Sequence, residues 1–341
     1  MSDAMILDSP QATRGSDFAR LLERIKQAGL LDRRPGYYTL RIGLVVAAYA
    51  GAWVAFAIIG DSWFQMLTAV VLAVVFAQAA LVAHDLAHRQ VFTSRKLSEI
   101  AGLIAGNLGI GMSYGWWMDK HTRHHANPNH EDHDPDVSPD ILIWSTDQAA
   151  AGKGVPRFIG RYQAYLFFPM LLLEGMNLHV ASARALRRRG IRHRAIEIML
   201  FAAHALGYCA TVFTLLPLGK ALVFVAIHQS LFGLYLGCSF APNHKGMPMA
   251  TDDMDFLRKQ VITSRDVSGG RIVDLALGGL NHQIEHHLFP SMPSANLRRA
   301  KPIVREFCAE IAVPYHETSL AASYRLALTH LHRVGAPLRA K

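Results

Sequence analysis

Long apolar runs, broken by short polar turns, dominate the pattern of this chain. Ile42 to Gly60 and Trp63 to Ala83 each approach the roughly 20 residues that cross a bilayer, and the turn Gly60-Asp61-Ser62 joins them. Ala195 to Leu216 and Ala221 to Pro242 repeat the arrangement around Pro217-Leu218-Gly219-Lys220. The pattern predicts two helical hairpins and four membrane spans, at about 42–60, 63–83, 195–216 and 221–242. Ahead of them, Phe18, Leu21, Leu22 and Ile25 recur at helical spacing beside Arg20, Glu23, Arg24 and Lys26. That is an amphipathic helix, suited to the membrane surface or to docking on the protein's own polar domain.

Two further apolar stretches are less regular. Ile100 to Trp117 carries five glycines and Asn107, and Ala164 to Val180 carries Glu174, Asn177 and His179. Polar clusters decide how the first is read. HDLAH (His84 to His88) precedes it and HTRHH (His121 to His125) follows it. If both serve one site, the stretch between them must return to its starting side, so it is re-entrant or interfacial. Two extra spans would set His88 and His121 apart by roughly 30 Å of hydrocarbon.

A third cluster, QIEHH, runs from Gln283 to His287. On helices, His84 and His88 share a face, as do His121, His124 and His125, and Gln283, His286 and His287. Seven imidazoles on three helix faces suit Fe, Zn, Cu or Ni and exceed what one tetrahedral zinc could use. Cys209, Cys238 and Cys308 are too scattered to add thiolate ligands. Acidic residues follow the second cluster, and a carboxylate that accepts from a ligand histidine's other nitrogen fixes its tautomer. Asp134 is one candidate for that place.

Composition narrows the setting. The chain of 341 residues is 51% hydrophobic, with a formal charge of +9 and mean hydropathy of +0.17. No nucleic-acid motif accompanies the charge. Arg184, Arg187, Arg188, Arg189, Arg192 and Arg194 instead precede the second hairpin and mark a cytoplasmic side. The expected fold is an all-α integral membrane protein. It has four transmembrane helices in two hairpins, interfacial helices, and a cytoplasmic helical domain holding a histidine-rich di-metal site. Expected boundaries are a disordered tail over 1–17, the amphipathic region over 18–41, the main domain over 42–310 and a cytoplasmic C-terminal tail over 311–341.

HDLAH, HTRHH and QIEHHLFP, with PNHKGMP at Pro242 to Pro248, resemble the membrane fatty acid desaturase family. Within it the chain is similar to bacterial acyl-CoA or acyl-lipid desaturases of the front-end (linoleoyl-CoA) type, in which glutamine opens the third box. The resemblance covers about Tyr37 to Cys308. It implies two iron ions per chain, O₂ and two external electrons, and a cis double bond placed in a long-chain acyl-CoA or acyl-lipid. It makes His84, His88, His121, His124, His125, His286 and His287 iron ligands. It adds His244 after the last span, although position 240 is Phe where the related pattern has asparagine. Gln283, His282, Asn243 and Asp134 are then expected to support the ligands or a bound water. Tyr114, Trp116, Trp117 and Phe232 are candidate walls of an acyl tunnel. No HPGG motif precedes Arg41, so electrons are expected from a separate ferredoxin, cytochrome b5 or flavoprotein reductase. A bacterial inner membrane, with both termini and the site cytoplasmic, is the expected location. A di-iron hydroxylase or ketolase would share the boxes but insert oxygen. A metal transporter would need polar groups along the spans, whereas these clusters lie at the helix ends.

Overall fold

A computed structural model describes residues 16–339. The tail expected over residues 1–17 lies almost wholly outside them. Helix α1 (Asp17–Gln27) starts at Ser16, whose hydroxyl accepts from Ala19 N at 3.2 Å. The first span, α2, is Pro35–Ile59 and the second, α3, is Gln65–Ala87. Gly60 turns between them at φ +60°, and the Gln65 amide closes the turn by donating to Phe56 O and Gly60 O. The apolar run had placed the start of α2 at Ile42. The helix begins a full two turns earlier because Pro35 fits a first turn and because Tyr38 and Arg41 are buried against partners on other elements.

After α3 the chain forms α4 (Arg95–Leu103), a π-helical turn over Ile104–Gly109, and α5 (Tyr114–Ala126). Gly111, at φ +65°, reverses the path, and a Cβ there would stand 2.5 Å from the His204 ring. The segment therefore leaves the bilayer on the side where it entered, as the position of the histidines demands. Next come α6 (Thr146–Ala151), α7 (Gly154–Leu171) and α8 (Glu174–Arg187), the last two bent by 86° to one another.

The remaining spans are α9 (Arg194–Leu215) and α10 (Leu218–His244). Spans α3 and α10 form the interior of the bundle, whereas α2 and α9 are mostly lipid-facing. Helix α10 runs straight through Pro242, so His244 stands in its last turn. It does not occupy the non-helical path that Pro242 and Pro248 suggest. Pro242 donates no hydrogen bond to Cys238 O, and the Tyr324 hydroxyl donates to that carbonyl instead at 2.6 Å.

The polar domain then follows as α11 (Phe256–Ile262), β1 (Asp266–Ser268), α12 (Arg271–Ala276), α13 (Gln283–Leu288), α14 (Ser294–Glu310), β2 (Glu317–Ser319), α15 (Leu320–Val334) and α16 (Ala336–Arg339). The fold is all-α apart from the short parallel pair of β1 with β2, in register Asp266 to Glu317. Residues 311–339, expected as a tail, are folded. Strand β2 holds β1, α15 packs on α7 and α10 with Leu331 in a core beside Phe167 and Ala241, and Val334 joins Ile143, Ala149 and Leu338. Helix α1 docks on this domain. Leu21 and Ile25 join a core with Ile284, Leu297 and Phe307, and Arg24 pairs with Glu310 at 2.6 Å.

Candidate metal centre

Eight histidines meet where α3, α5, α10 and α13 converge. They form two groups within which every contributing ring nitrogen lies within 4.8 Å of the others. His84, His88, His121, His125 and His286 make one group, and His124, His244 and His287 make the other. The doublets explain the division. Successive helical residues point about 100° apart, so His124-His125 and His286-His287 each send one ring to either group.

Burial works against charge on five of these rings. His88, His121, His125, His286 and His287 are held well below the usual histidine pKa, first by burial and then by neighbouring imidazoles. Burial also disfavours the charged form of His124, but Asp134 and Asp136 outweigh it and raise its pKa.

Hydrogen bonds to the outer nitrogens fix the tautomers in the three-histidine group. His124 Nδ1 meets Asp134 at 2.9 Å, His244 Nδ1 meets Thr263 O at 3.1 Å and His287 Nδ1 meets Gln260 Oε1 at 2.8 Å. The Gln260 oxygen faces His287 because the other end of its amide donates to His125 O. All three partners are acceptors, so each Nδ1 carries the proton and each Nε2 presents a lone pair. His244 Nε2 and His287 Nε2 nevertheless face each other at 3.0 Å. Two lone pairs at that distance repel, and a shared cation turns the contact favourable. In the larger group His121 Nε2 faces His88 Nε2 at 2.7 Å and His125 Nε2 at 3.1 Å. His84 Nε2 and His286 Nε2 are buried without a partner among the described residues. The donor set fits two metal ions, with five nitrogens for one and three for the other.

The supporting residues named from the sequence fall around these groups. Besides His124, Asp134 accepts from Asn129 N and Asp136 N, so one buried carboxylate shapes the whole loop after α5. Gln283 donates to His244 Nε2 at 2.9 Å and accepts from Asn243 at 3.1 Å. His282 points away from both groups and pairs with Asp274 at 3.1 Å. His130 and His133 stack on each other and meet Asp252 outside both groups.

A cavity of about 290 Å³ runs beneath both groups. Its lining is polar at Asp136, Glu174 and Lys245 and apolar at Ala80, Met112 and Leu178. Of the expected tunnel walls, only Trp117 lines it, stacked on the His121 ring at 4.3 Å. Trp116 lies about 100° round α5, where it and Tyr114 face a different cavity. Phe232 shares the α10 stripe of Leu236 and Phe240, which do line the cavity, but sits one turn deeper, edge-on to Phe76.

Several important positions carry no motif. The most consequential is Arg265, which is buried and places its guanidinium on the open carbonyls at the end of α10. Nε donates to Pro242 O at 2.5 Å and Nη2 to Lys245 O. Burial draws its pKa down to about 10, so it remains a cation at the negative end of the helix dipole. Replacing Arg265 with methionine is expected to cost on the order of 3 kcal/mol, since charged hydrogen bonds to buried carbonyls are worth about 1.5–3 kcal/mol each. Thermal unfolding in detergent reads the loss, and an unchanged midpoint would refute this capping role. Glu285, between Gln283 and His286 in the chain, is pushed well above the carboxylate range by burial and by Asp266, and it accepts from the Tyr315 hydroxyl at 2.9 Å.

The sequence matches the family described as fatty acid desaturase over residues 61–319. An acyl-lipid (9-3)-desaturase of Physcomitrium patens is 33% identical over 321 residues, covering 89% of this chain and 60% of that protein. Delta(8)-fatty-acid desaturase 2 of Arabidopsis thaliana is 28% identical over 324 residues, covering 89% and 71%. Fatty acid desaturase 3 of Bos taurus is 28% identical over 320 residues, covering 90% and 70%. The chain thus spans less than two thirds of the length of the moss protein and about 70% of the other two.

Proposed function

The chain belongs to the fatty acid desaturase family, and on that premise we propose that it is an O₂-dependent acyl desaturase that places a cis double bond in a long-chain acyl-CoA or acyl-lipid. The observation that carries the reading is the pair of buried histidine groups, with opposed lone pairs, above an apolar cavity. We assign two irons to them, one to His84, His88, His121, His125 and His286 and one to His124, His244 and His287. Bound iron would activate O₂ and oxidise an unactivated methylene, which neither a side-chain base nor redox-inert zinc achieves. The two hydrogens taken from the chain supply two of the four electrons that reduce O₂ to water. The other two come from a separate donor, a ferredoxin, cytochrome b5 or flavoprotein reductase.

The protein's own part is placement and exclusion. Asp134, Thr263 O and Gln260 hold the Nδ1 protons and so aim three Nε2 lone pairs inward. Trp117, Phe240 and Met112 line the cavity with apolar surface, which selects a hydrocarbon chain and keeps water from the reacting methylenes. Lys245 stacks over Trp144 at 4.1 Å and donates to Asp136 O, framing a polar patch for the acyl group's head. The arginines ahead of α9 favour an arrangement with the site and both termini on the cytoplasmic face of a bacterial inner membrane.

Expression in a host fed defined fatty acids, followed by mass spectrometry that locates double bonds, tests the chemistry. A new cis alkene is expected, with close to two irons and little zinc per purified chain. A hydroxylated product, or active protein holding zinc or one metal, would overturn the reading.

A further inference from the structure

Two cavities away from the histidines share Leu86 at the histidine end of α3. Neither shares a lining residue with the cavity beneath the metal groups. The first, of about 500 Å³, lies between α4, α5 and the α8–α9 connection and is rimmed by Arg89, Arg95, Arg188, Arg189 and Arg192. Its acidic residues are already engaged. Glu99 holds Arg192 and His193, Glu197 accepts from Ser113 and Gly115 N, and Asp119 pairs with Arg123. Arg89, Arg95, Arg188 and Arg189 form no ion pair with the described residues, leaving four guanidinium groups around one concavity.

The second cavity, of about 740 Å³, is a groove between α2, α3, the π-helical turn and α9. Its polar atoms are turned inward. Tyr49 donates to Gly109 O at 2.9 Å, and His204 Nδ1 is spent on Leu108 O at 2.9 Å. What faces outward is hydrocarbon. Along α2 the lining runs from Ile42 to Trp53. At 1.5 Å per residue that is about 17 Å, close to half of the roughly 30 Å hydrocarbon core and so to the depth of one leaflet. The arginine cavity adjoins this groove at Leu86, at the end of α3 that carries His84 and His88.

We propose that the two cavities form one binding site for an anionic glycerophospholipid of the leaflet on the histidine side. Its phosphate rests on the arginines and one acyl chain fills the groove, apart from the catalytic cavity. The proposal needs only the membrane spans and stands whether or not the chain desaturates lipids. A scattered basic surface would attract anionic lipid without a matching groove, whereas here charge and apolar depth meet at one residue.

The test is equilibrium binding of phosphatidylglycerol and phosphatidylcholine with identical acyl chains to the purified full chain in detergent, read by native mass spectrometry. Wild type should prefer phosphatidylglycerol, and Arg188→Ala/Arg189→Ala should lose roughly 30-fold of that preference, from about 1 kcal/mol for each arginine near a lipid phosphate. Gly207→Trp, where a side chain meets open groove, should weaken both lipids while sparing the preference. Equal binding of the two lipids to wild type, full preference in the double arginine variant, or complete displacement by equimolar free CoA would overturn the proposal.

Discussion

Replacing His287 with alanine is expected to lower metal content from two ions to about one per chain and to reduce desaturation by at least on the order of 100-fold. That magnitude is a floor, because losing a supporting partner of a metal ligand already costs about 10–100-fold, and here the ligand itself goes. The uneven division of the histidines sets the size of the effect. With His287 gone, the smaller group keeps only His124 and His244. With His125 gone, the larger group still keeps four imidazoles. His125→Ala should therefore retain more metal than His287→Ala, although both lose turnover. Elemental analysis alongside product quantification makes the comparison. Two metals and near-normal product in His287→Ala, or equal metal loss in both variants, would reject the five-plus-three division.

Part of that division lay in the sequence. Helical spacing brought His84 together with His88, and His121 with His125, and the adjacent pairs His124-His125 and His286-His287 could have been read as serving two centres, being about 100° apart. What spacing could not supply was which ring met which partner across elements. His124 reaches the group built on α10 because Asp134 turns back from ten residues later and fixes its outer nitrogen. His287 depends on Gln260 and His244 on Thr263, both on or beside α11, a short helix with no recognisable motif. The spans were legible because lipid tolerates only long apolar helices with satisfied backbones. The tunnel walls were not, since aromatic residues at helical spacing fit a lining and a core equally well. Trp117 borders the cavity beneath the histidines, and Phe232 is buried in the core of the bundle. Residues 311–339 are apolar enough to fold, with Leu320, Tyr324, Ala327, Leu331 and Val334 at helical spacing, and α15 covers surfaces of α7 and α10, a pairing that spacing alone does not supply.

Breaking the ion pair between Arg41 and Asp85 should produce the largest loss of stability from any single change outside the histidines. Arg41 Nη1 meets Asp85 Oδ2 at 2.6 Å with both side chains buried, at 5% and 2% exposure. Ser294 adds a hydrogen bond to the same carboxylate at 3.1 Å. Ser294 N and the Tyr38 hydroxyl both donate to Gln90 Oε1, and Gln90 donates to Pro290 O. The network therefore ties α2 and the end of α3, next to His84, to the first turn of α14 just beyond the third histidine cluster. Asp85→Ala leaves an unpaired guanidinium in that dry site, and removing one partner of a buried pair costs about 3–5 kcal/mol. Arg41→Met/Asp85→Leu removes both charges and should recover most of that stability, since a well-packed apolar replacement is often neutral or better. Metal content should recover less, because Ser294 no longer has the carboxylate that holds the third cluster against the first. Thermal unfolding in detergent and metal analysis of the two variants separate these effects. An unfolding midpoint for Asp85→Ala equal to wild type would show that the pair does not secure the junction.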